Sequence, residues 1–174
     1  MSAIYRSRLV AVLAAAAIAL AVVGFAGLVA AHRNDVNHPT TDERTTVQQA
    51  AADAVAALMT FSPADDPPRR EVVAKLTGRM AAEYRTQGPD LILPNAVESR
   101  TSMSAKVIGA AVNSYSTDEA RVLVFVDQQV DVPGLTRDNP GGERVTASRW
   151  AVMHRHDGVW LLKDLTLVDA SGDS

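Results

Sequence analysis

Apolar residues are laid out along this chain in three successive modes. From Leu9 to Ala31 they form an unbroken run of 23 residues without a charged or strongly polar side chain. A helix of that length would reach roughly 34 Å, against about 30 Å of bilayer hydrocarbon. Eleven of these positions are Leu, Ile, Val or Phe, together roughly −3 to −7 kcal/mol in favour of insertion. The pattern predicts a transmembrane anchor over 9–31. Arg6 and Arg8 precede it, and the first acidic residue is Asp35. The positive-inside rule then makes 1–8 a cytoplasmic stub and puts everything after Ala31 outside the cytoplasmic membrane, a single-pass layout. A cleaved signal peptide, cut near Val29-Ala30-Ala31, is the competing reading, and the run is longer than the usual apolar region of about 7–15 residues.

The second mode is helical. A polar linker over 32–40 ends at Thr40, and Thr40 to Glu43 has the spacing of a capping box. Val47, Ala51, Ala54, Leu58 and Phe61 then recur at intervals of four and three, one stripe along a helix that ends before Pro63. The stripe is expected to pack on the protein's own sheet, with self-association through it the alternative. Ser62–Pro68 reads as a turn, followed by helical segments Arg69–Leu76 and Arg79–Gln87 separated by Gly78. Leu91-Ile92-Leu93-Pro94 reads as a buried connector.

After Ser99 the period shortens to two. Strands are predicted over Met103–Tyr115, Arg121–Val132, Val145–Arg155 and Val159–Val168. Gly109 suggests a bulge or a close approach within the first. Turns are expected at Ser116–Glu119 and at His156-Asp157-Gly158, where Asp-Gly favours a tight hairpin. Pro133–Glu143 is a hydrophilic loop. Helices first and antiparallel strands afterwards define an α+β domain over 41–170, with a frayed tail at 171–174.

Composition adjusts this picture in two places. The formal charge is −3, and beyond the two N-terminal arginines 15 basic residues face 20 acidic ones. A mildly acidic exterior gives no electrostatic pull toward nucleic acid. The chain has no cysteine, which excludes disulfides, thiolate metal sites, a cysteine nucleophile and a lipoprotein anchor. About 130 residues must therefore hold together by packing, which a domain of that size can do.

Three stretches carry a family likeness. They are the strand Ala120-Arg121-Val122-Leu123-Val124-Phe125-Val126-Asp127-Gln128, the segment Trp150-Ala151-Val152-Met153-His154-Arg155, and Asp157-Gly158-Val159-Trp160-Leu161-Leu162-Lys163-Asp164-Leu165. With the anchor and the Ala-rich helix, they resemble the Mce-associated membrane proteins of mycobacteria and related actinobacteria. The resemblance implies an NTF2-like cone, about three helices cradled by a curved antiparallel sheet. It also implies a non-catalytic accessory role, supporting a Mce-type lipid-import complex through contacts with transporter subunits or other envelope proteins. No functional residues or cofactors are carried over with it.

Candidate chemistry is sparse. Asp127 interrupts an apolar strand and could act as a pocket acid or base, as in ketosteroid isomerase-like NTF2 relatives, with Tyr84, Tyr115 and His154 as companions. Alternation places it with Leu123 and Phe125, opposite Val124, Val126 and Val130, and leaves open which face meets water. His154 and His156 share a strand face near Asp157 but have no third ligand by motif. Trp150 and Trp160 are core or rim aromatics that could cradle a lipid or sterol. The candidate pocket set is thus Phe125, Asp127, Trp150, His154 and Trp160, with no catalytic, cofactor or metal residues assigned.

Overall fold

The computed structural model describes residues 39–134 and 143–168. The proposed anchor over 9–31, the tip of the Pro133–Glu143 loop and the tail lie outside these residues. Among the described residues no helix is long and apolar enough to cross a membrane.

The domain opens with helix α1, Thr41–Leu58. Its start is set by the expected capping box: Thr40 Oγ1 accepts from the Glu43 amide at 3.2 Å, and the Glu43 carboxylate accepts from the Thr40 amide at 2.9 Å. These bonds satisfy amides that a helix start otherwise leaves open, and they hold the Glu43 carboxyl below its ordinary pKa. Val47, Ala51, Ala54, Val55 and Leu58 form the buried face, and the helix lies across all four strands of the sheet. Its many alanines let the helix axis approach the sheet closely. Phe61 is buried as expected, but not as the last turn of the helix. The helix stops at Leu58, and Phe61 instead forms an antiparallel bridge to Met103.

Downstream the helical layer is shorter than the pattern suggests. Helix α2 spans only Arg70–Val73, because Leu76 leaves it to bridge Leu162 at the far side of the sheet. Gly78, at φ +57°, redirects the chain into α3, Gly78–Gln87. A 3-10 turn at Gly88–Leu91 follows, and Leu91, Ile92 and Leu93 pack half-buried against the core.

The strands are β1 Ser102–Tyr115, β2 Glu119–Asp131, β3 Glu143–His156 and β4 Val159–Leu167, in the antiparallel order β1-β2-β3-β4. Asp157 and Gly158 both take positive φ in the last hairpin, as its Asp-Gly signal demands. Gly109 realises both readings at once. The register slips between Val107 and Gly109, and a Cβ there would meet the Phe125 ring at 3.4 Å. Further slips fall in β1 after Val112 and in β4 at Lys163, and each such bulge adds twist and bends a sheet.

Register separates the two faces cleanly. Ala120, Val122, Val124 and Val126 of β2 lie level with Met153, Ala151, Arg149 and Ala147 of β3. This inner face meets the helices, and Val122, Val124, Val126, Ala151, Met153 and Leu162 on it have no exposed surface. Both outer edges are also occupied. On β1, Thr60 Oγ1 accepts from the Ala105 amide and Gln48 donates to the Ala110 carbonyl, beside the Phe61 bridge. On β4, Leu162 exchanges backbone bonds with Lys75 and Thr77 at 2.9 Å each. Unpaired strand edges invite association, and here side chains and bridging residues occupy them.

Candidate functional site

The outer face of the sheet, away from the helices, collects most of the candidate residues. Level rows cross the strands: Lys106, Asp127 and Thr146; then Gly109, Phe125 and Ser148; then Ala111, Leu123, Trp150 and Thr166; then Ser114, Arg121, Val152 and Asp164. Leu123, Trp150 and Val152 are half-buried and Phe125 is 39% exposed, with no described element over them. Phe125 lies against Gly109, which has no side chain to push it away. The Arg121 guanidinium stands over the Trp150 ring, 4.1 Å from its centre, a cation–π contact that occupies one face of the indole.

At the Asp127 end this apolar strip runs into a polar cleft of about 190 Å³. Ser104, Ala105, Lys106, Asp127, Gln128, Gln129 and Arg144 line it. Lys106 is the β1 neighbour of Asp127. Arg144 Nε approaches Asp127 Oδ1 to 3.9 Å, beyond hydrogen-bond range. Asp127 Oδ1 is buried and receives no hydrogen bond among the described residues. The Asp127 side chain as a whole is about one-third exposed (32%), and the Arg144 guanidinium is its ion-pair partner.

The remaining candidates lie elsewhere. His154 is also on the outer face, level with Glu119, and its buried Nδ1 has no hydrogen-bond partner among the described residues. Neither Asp127 nor His154 points into the helix-covered side, so neither lines an interior pocket. Trp160 does face that side. It is 6% exposed, and its ring centre is 5.7 Å from that of Tyr115, so it fills the core rather than cradling a ligand. Burial raises the Tyr115 hydroxyl pKa, and Tyr84 is on the buried face of α3. His156 contacts Asp157 at 3.4 Å on exposed surface, and no group of three His, Asp or Glu converges on a metal position among the described residues.

One residue escaped the sequence reading. Arg149 shares the inner face with Ala151 and Met153, level with Val124 and Leu167. Its Nε is buried without a hydrogen bond among the described residues, and burial lowers its pKa. It stands where the helical cover thins, since Val145 on the same face is 39% exposed. Its parity with two apolar neighbours was the available signal.

No protein-family model matches the chain. An uncharacterized protein of Mycobacterium tuberculosis is 31% identical over 120 residues, covering 68% of this chain and 53% of that protein. A protein of the same organism named an outer membrane protein is 33% identical over 87 residues, covering 48% of this chain and 53% of that protein. The chain thus spans about half the length of the curated relatives it matches. Two solved structures share 14% identity with it. An NTF2-like protein involved in plasmid conjugation has a TM-score of 0.46, with 80% of this chain and 44% of that one covered. The intermembrane space region of a chloroplast protein has a TM-score of 0.48, with 76% and 100% covered.

Proposed function

We propose that this protein is a non-catalytic accessory component of the cell envelope, built on an NTF2-like cone, that supports a Mce-type lipid-import complex through protein contacts. The observation that carries this reading is the open outer face, where Leu123, Phe125 and Trp150 form an aromatic-apolar ladder with no described element above it. Contiguous exposed apolar surface rimmed by charge is the usual mark of a binding face. A mycobacterial relative named an outer membrane protein favours an envelope location, and the apolar run over 9–31 supplies an anchor.

The test is a photo-crosslinking residue placed at Phe125 in native membranes, with Arg79, exposed on α3, as the control position. Crosslinks from position 125 to transporter subunits, and lower subunit abundance on deletion of the gene, are expected. Unchanged subunit abundance together with unchanged lipid uptake would refute the proposal.

A further inference from the structure

We draw no further inference here: the strongest candidate, the cavity of about 130 Å³ lined by Pro63, Pro67, Pro89 and Val97 between the turn after α1 and the loop before β1, has the carboxylate of Asp65 on its wall already engaged by the Ser62 amide and Arg69, and nothing in the structure shows what would fill or cover it.

Discussion

Strand β2 has two faces of different composition and different fates. Ala120, Val122, Val124 and Val126 are sealed under the helices, while Arg121, Leu123, Phe125 and Asp127 look outward. On the inner face apolar side chains are small and β-branched, and they interlock with Met153, Leu162 and α1. On the outer face they are larger and interspersed with charge. The difference separates two uses of apolar surface. One face stabilises the fold, and the other remains available for recognition.

Substitutions can break that division. Leu162→Ala on the inner face should cost about 3 kcal/mol, the usual penalty for a cavity at a fully buried leucine, read as a lower denaturant midpoint. Arg149→Met tests the exception on that face. Removing a half-buried guanidinium whose Nε has no hydrogen bond among the described residues should raise stability by about 1 kcal/mol, seen as a higher midpoint in the same assay. Phe125→Ser on the outer face should change the midpoint by no more than roughly 0.5 kcal/mol and should improve solubility. A loss as large as that of Leu162→Ala would show that the outer face is structural.

The smallest effect concerns pH. A hydrogen bond from Lys163 at 2.8 Å lowers the Glu119 pKa, with the lysine's charge adding to it. Because the folded value lies below the unfolded one, the pair stabilises above the ordinary glutamate pKa and loses that contribution as pH falls through the lowered folded value. Both groups are about half exposed, so the loss is roughly 0.3 kcal/mol and shrinks with salt. Glu119→Gln should flatten that part of the acid-denaturation profile.

Much of the fold was legible in the sequence because its signals were local. The Thr40–Glu43 box, the Asp157-Gly158 turn and the alternation in β2 each act over a few residues, and each formed. The misplaced elements were those whose fate depends on distant partners. Phe61 and Leu76 fit helical spacing, yet each is worth more as a bridge to a strand about 40 or more residues away, to Met103 and Leu162. The site was legible by parity alone. Alternation grouped Asp127 with Phe125 and Leu123, but only the register with β3 shows which side the helices cover. Trp150 joins that group through a cross-strand pairing that one strand's pattern does not encode, and Trp160 leaves it for the same reason.

The sealed edges bear on how the domain comes into being. Gln48, Thr60, Phe61, Lys75 and Thr77 all precede the strands they protect. As the chain is made from its N-terminus, each seal is already present when its strand emerges. The bare edges that make slow-forming sheets prone to aggregate are covered as they form. A sheet that follows its helices in sequence thereby never has to wait for its guards.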